Sequence, residues 1–192
     1  MNDGVLGLPP ERVAVLLVDF QHDFCDGNAG NTAAAHRAYD FAAAAGRLGA
    51  RTIHSQQVYD PAELTPRQRL REGPDSLCRK GTRGAELVLP PLPGARVVRK
   101  HRYDVWQSPE FHAVLADWDV DGLVIAGVEL QCCVLYAVLG ADEHGYDYAV
   151  PQELVSGIDR CDDGSNRAVR EYLGLVHPTP TTAELLAAWR TG

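Results

Sequence analysis

The sequence has no apolar run of membrane-spanning length. Its opening run, Val13-Ala-Val-Leu-Leu-Val18, stops at Asp19, far short of the ~20 residues a bilayer needs. No basic segment precedes that run, as a secretory leader would require. There is also no dense Lys/Arg stripe. Acidic residues outnumber basic ones, 26 to 18, for a formal net charge of −8, which argues against a nucleic-acid footprint. The five cysteines, Cys25, Cys78, Cys132, Cys133 and Cys161, are odd in number and irregularly spaced, so they make no disulfide framework. A reducing, cytoplasmic setting follows, with neither nucleic acid nor membrane as partner. The seven histidines show no metal-ligand spacing, so neither metal nor cofactor is expected. Repeats, linkers and low-complexity tracts are absent too, and residues 1–192 read as a single domain large enough for a real core.

What is present is a regular alternation of strands and helices. Apolar runs or strand-like patterns predict strands at Val13–Val18, Arg51–Gln57, Arg96–Lys100, Gly122–Ala126 and Gly145–Val150, with a short sixth at Leu175–His177. Helices are predicted over Ala33–Leu48, capped by Asn31 or Thr32, and over a short stretch at Pro66–Arg71. Further helices run from Pro109 to Trp118 behind a Ser108 cap, from Gln131 to His144, from Ser165 to Leu173, and from Thr181 or Thr182 to Arg190. This order predicts an α/β fold: a three-layer α/β/α domain around a doubly wound, mainly parallel sheet of about six strands. Residues 60–84 form a long polar excursion, of the kind that often serves as an active-site lid.

In such a sheet, ligands gather at the carboxyl ends of the strands. Asp19 closes the first predicted strand, Lys100 ends the third, and Cys132-Cys133 follow the fourth beyond Gly127. Each has an ordinary explanation. An aspartate there commonly caps a turn, a lysine near Arg96 and Arg99 commonly adds surface charge, and free cysteines commonly pack as small hydrophobes. Their shared edge argues instead for a nucleophile with a base and a cation beside it.

The chain resembles the isochorismatase-like cysteine hydrolases, which include nicotinamidases and N-carbamoylsarcosine amidohydrolases. The resemblance rests on Val18-Asp-Phe-Gln-His-Asp-Phe24, Gly81-Thr-Arg-Gly-Ala-Glu86, Lys100, Gly127-Val-Glu129, Cys133-Val134, Ala141 and Gly145-Tyr146, in the family's order. It implies a catalytic triad of Asp19, Lys100 and Cys133, and leaves Cys132 as a packing residue. It implies a cis peptide between Val128 and Glu129, with the backbone N–H groups of Glu129 and Cys133 as the oxyanion hole. It also implies a homo-oligomer, a dimer or a tetramer, acting on a small molecule. Candidate pocket walls are Phe24, Tyr103, Trp106, Leu130 and Tyr136, with core packing an equal alternative for Trp106. Gln21 has three possible roles: orienting Asp19, touching substrate, or serving only the backbone.

Two departures bear on substrate. Nicotinamidases carry an Asp-x-His metal site after the second strand, where this chain reads Ser55-Gln-Gln-Val-Tyr59. Leu130 stands where the family often has Thr, and Tyr136-Ala137 replace a common small-residue/Thr pair. The resulting expectation is a metal-independent cysteine amidohydrolase cleaving a small amide or carbamoyl C–N bond through a thioester on Cys133. The alternatives are an isochorismatase-type vinyl ether hydrolase and a non-catalytic binding domain of the same fold.

Overall fold

A computed structural model describes residues 4–72, 76–157 and 164–191, so Cys161 lies outside the described residues. Five strands form one sheet: β1 (Val13–Val18), β2 (Arg51–Gln57), β3 (Arg96–Lys100), β4 (Gly122–Gly127) and β5 (Asp147–Ala149). Their order is β3-β2-β1-β4-β5, and every pairing is parallel. Seven α-helices are described: α1 (His22–Cys25), α2 (Ala29–Gly46), α3 (Pro66–Glu72), α4 (Pro109–Asp117), α5 (Leu135–Glu143), α6 (Gly164–Val176) and α7 (Thr182–Thr191). None among the described residues is long and apolar enough to cross a membrane.

Strand alternation explains the three layers. Val13, Val15 and Leu17 of β1 pack with Ala34, Ala38 and Phe41 of α2 and with Leu185 and Trp189 of α7. Ala14, Leu16 and Val18 pack with Phe111 and Leu115 of α4, Val138 of α5 and Leu173 of α6. Both faces of β1 are therefore buried, which is why its sequence is a continuous apolar run rather than an alternating one. The alanines along the buried side of α2 let that helix lie close to the sheet.

Several sequence expectations need correction. The proposed sixth strand at Leu175–His177 is not a strand: α6 extends to Val176, carrying Leu175 exposed on its surface. Among the described residues the sheet has five strands, close to the six or so expected. Asn28, not Asn31 or Thr32, caps α2, its side chain accepting from the Asn31 N–H at 3.0 Å. Ser108 makes no side-chain cap for α4; its hydroxyl donates to the Arg99 carbonyl at 3.0 Å instead. Between β4 and α5, one turn of π-helix spans Leu130–Val134, and the Val134 N–H reaches the Glu129 carbonyl at 3.3 Å.

The topology fixes where chemistry can occur. From β1 the chain moves outward through β2 to β3, then crosses back past β1 to β4 and on to β5. The carboxyl ends of β1 and β4 thus flank the point where the strand order reverses, the usual crevice for a ligand. Val18 pairs with Gly127 across that point and with Ser55 on its other side.

One buried histidine in this frame has a consequence for acid stability. His54 of β2 is 3% exposed, and its Nε2 has no hydrogen-bond partner among the described residues. Burial pushes its pKa down from 6.5 to about 4. The folded pKa lies below the unfolded one, so this residue's contribution is complete above about pH 6.5 and is lost as pH falls toward about 4. The loss should be on the order of 3 kcal/mol. Urea midpoints measured at about pH 7 and about pH 4.5 should fall more for the native chain than for His54→Leu. Equal acid losses would show that His54 does not carry the effect.

Candidate active site

Asp19 follows β1 directly and adopts a left-handed backbone conformation, φ 52°. Its N–H still bonds the Ser55 carbonyl (3.3 Å), while its own carbonyl accepts from the Gln21 N–H (2.7 Å). The chain thereby turns sharply at the strand end, with the Asp19 carboxylate wholly buried. Lys100, the last residue of β3, reaches across β2 to meet it: Nζ lies 2.5 Å from Asp19 Oδ2. The same ammonium donates to Cys133 Sγ at 3.4 Å and to the Arg102 carbonyl at 2.8 Å. Lys100 is 3% exposed and Cys133 2%.

Burial works to lower the Lys100 pKa, but the charges of Asp19 and Cys133 and its hydrogen bonds to both outweigh it and hold the pKa above the ordinary lysine value. Lys100 is therefore a cation. Burial pushes the Cys133 thiol well above the ordinary cysteine range, and the Asp19 carboxylate pushes it further, against the opposing pull of Lys100. A thiolate is the reactive form expected from the sequence, yet these surroundings keep Cys133 a thiol at rest. Its thiol faces Gln57 Oε1 at 3.7 Å and is joined to the Asp19 carboxylate through the shared Lys100 ammonium.

The turn that carries the cysteine is built from Gly127, Val128 and Glu129. Gly127 has φ 149°, and an added Cβ would sit 2.5 Å from the Val18 carbonyl oxygen, so only glycine fits. The Val128–Glu129 peptide is cis. The Glu129 carbonyl accepts from the N–H groups of Cys132 (2.9 Å) and Val134 (3.3 Å), the two amides flanking Cys133. The Glu129 carboxylate accepts from Asn31 Nδ2 at 2.8 Å, and the same nitrogen donates to the Phe24 carbonyl at 2.7 Å.

With this geometry in view, the comparisons fall into place. The family model described as the Isochorismatase domain matches residues 13–179. The chain belongs to the isochorismatase family. Its fold is shared by a cysteine hydrolase from Pseudomonas syringae pv. phaseolicola 1448A, 20% identical, with a TM-score of 0.84 over 96% of this chain and 95% of that one. It is also shared by an N-carbamoylsarcosine amidase from Thermoplasma acidophilum, 20% identical, with a TM-score of 0.74 over 89% and 96%. A nicotinamidase from Bacillus subtilis, 16% identical, superimposes with a TM-score of 0.72 over 88% and 99%. No match is found among curated proteins. At these identities the structures speak to fold, and the domain match makes this an isochorismatase-family hydrolase.

Within the family framework, the remaining candidate residues divide. Gln21 serves the backbone: its Nε2 donates to the carbonyls of Gln57 (2.8 Å) and Ala85 (2.7 Å), and its Oε1 accepts from the Gln57 N–H. It does not hold the Asp19 carboxylate. Trp106 packs in the core, with its indole N–H on the Ala137 carbonyl (3.0 Å), its ring edge-on to Phe111 and stacked with His144. It is core filling rather than pocket wall. Leu130 is fully buried in the same cluster. Phe24 is half-buried between two apolar clusters. Tyr103 and the half-exposed Tyr136 have ring centroids 6.1 Å apart. Cys132 is half-buried at the edge of the core.

Two residues at the end of β2 were not singled out from the sequence. Ser55 Oγ donates to Asp19 Oδ1 at 2.7 Å. Gln57 Oε1 faces Lys100 Nζ at 3.4 Å and Cys133 Sγ at 3.7 Å. The signal was there: Ser55-Gln56-Gln57 are polar residues closing an interior strand, which demands polar partners. Ser55→Ala should cost about 1–3 kcal/mol of stability by leaving a buried carboxylate oxygen without its donor. Chemical denaturation tests this, and an unchanged midpoint would mean the carboxylate is satisfied without Ser55.

Proposed function

We propose that this isochorismatase-family chain is a metal-independent cysteine amidohydrolase that cleaves a small-molecule amide or carbamoyl C–N bond through a thioester on Cys133. One observation carries the reading: a buried ammonium, Lys100 Nζ, bridges a carboxylate at 2.5 Å and a thiol at 3.4 Å. A nucleophile needs a base within reach and a charge partner, and both are in place.

In this mechanism Asp19 takes the thiol proton as Cys133 Sγ forms a bond to the substrate carbonyl carbon. The ammonium of Lys100 stabilises the developing sulfur charge in an interior where water screens little. The oxygen of the tetrahedral adduct is held by the backbone N–H groups of Glu129 and Cys133, and one such donor is typically worth about 10²–10³ in rate. The C–N bond then breaks, and Asp19 returns its proton to the leaving nitrogen. A water molecule, deprotonated by Asp19, attacks the thioester carbonyl. The acid departs as the C–S bond breaks and the proton returns to sulfur.

Metal independence is supported by the stretch Ser55-Gln-Gln-Val-Tyr59, which offers neither a carboxylate nor an imidazole where nicotinamidases carry their Asp-x-His pair. The vinyl ether alternative is less well supported, because that chemistry makes no use of a thiol at the Cys133 position.

Incubation with a panel of small amides and ureas should leave an acyl mass on Cys133, found by mass spectrometry of peptic fragments. Cys133→Ala should lose turnover of any substrate so identified by at least about 10³-fold. Full turnover by that variant would sink the proposal.

A further inference from the structure

A cavity of about 460 Å³ opens at the amino-terminal end of the sheet, opposite the edge where Asp19, Lys100 and Cys133 meet. Ala42, Ala50 and Thr52, all buried, form its floor. Arg47, Arg51, Trp118 and the turn at residues 92–95 form its walls. The volume lies within the ~300–1,000 Å³ typical of small-molecule sites. Its chemistry is mixed in a specific way, an apolar floor beneath two cations.

Those cations are the informative feature. Arg47 and Arg51 have no carboxylate partner among the described residues, in a chain with a formal net charge of −8. The guanidinium of Arg51 lies over the Trp118 ring, 5.3 Å from its centroid. Such stacking restrains the planar fork that pairs with a carboxylate through two parallel hydrogen bonds.

Of the acidic residues nearby, Asp119 and Asp121 both pair with Arg12, whereas the Glu11 carboxylate lies beside Gly49. The last carbonyls of α2 are used as well: Ala45 accepts from the N–H groups of Arg47, Leu48 and Ala50, and Gly46 accepts from Gly49. The helix end that borders the cavity therefore presents few bare acceptors to an incoming anion.

We propose that this cavity binds a small organic carboxylate, its anionic head on Arg47 and Arg51 and its apolar body against Trp118 and the alanine floor. A carboxylate's two oxygens can accept from a guanidinium fork, and a body of about one aromatic ring fits the apolar surface. The site touches Arg51 and Thr52, which begin β2, and Ala95, which precedes β3. The opposite ends of those strands carry Ser55, Gln57 and Lys100, so an occupant here sits on the same two strands as the active-site groups.

Benzoate, titrated into the full chain by isothermal calorimetry, is the probe. Saturable binding is expected, weakened at least about tenfold in the double variant Arg47→Gln/Arg51→Gln. Both arginines are exposed, so the substitutions leave the core intact. Benzyl alcohol, the same ring without the charge, should bind at least about tenfold more weakly than benzoate. Binding to Cys133→Ala should match the native chain. The proposal is overturned if benzoate does not saturate, if the double variant binds it equally, if the alcohol binds as well as the acid, or if Cys133→Ala abolishes binding.

Discussion

The structure depends on one buried ion pair. Moving an ammonium and a carboxylate out of water costs several kcal/mol for each, and their mutual attraction offsets this only when further hydrogen bonds satisfy the remaining atoms. Here they do. Asp19 Oδ1 accepts from Ser55, while Lys100 also donates to the Arg102 carbonyl and faces Gln57. These partners come from the ends of β1, β2 and β3 and from the turn beyond β3, so the pair constrains the register of three adjacent strands. A one-residue slip of β2 would turn Ser55 and Gln57 to the other face and leave the charges unsupported.

The same pair distinguishes Cys133 from the other buried thiols. Burial raises the pKa of Cys25 to about 12 and raises that of Cys78 as well, just as it raises that of Cys133. The direction is common to all three. Among the described cysteines, only Cys133 has an ammonium in direct contact, one that also pairs with a carboxylate. Cys78 senses Asp19 and Lys100 only through longer-range charge, and its sulfur faces the Gly84 carbonyl at 4.0 Å. What sets Cys133 apart is therefore its neighbours rather than an intrinsically acidic thiol.

Much of this was legible in the sequence, for physical reasons. The run Val13–Val18 reads as a strand because both of its faces are buried, and Asp19, Lys100 and Cys133 stand out because reactive groups at strand ends share one edge of a parallel sheet. The missing part depended on tertiary context. Leu175-Val176 has a strand's composition, yet it continues a helix whose register is set by Leu173 against the core. Trp106 reads equally as pocket or core, and only its indole bond to Ala137 decides. Ser55 and Gln57 lie in the stretch that lacks the metal ligands, and only the fold shows them facing the ion pair. Cap residues were misassigned because Asn28, Asn31 and Thr32 are close in sequence and each side chain hydrogen-bonds nearby backbone, Asn28 as acceptor and the other two as donors.

The strand order carries a last consequence for the life of the chain. Asp19 and Cys133 are 114 positions apart, and the latter's partner Lys100 lies on the far strand, beyond β2. A fragment ending with β3 lacks the thiol, and one beginning with β4 lacks the carboxylate and the ammonium. Only assembly of the complete sheet gives Cys133 its neighbours: until β4 docks beside β1, the thiol has neither Asp19 nor Lys100 near it.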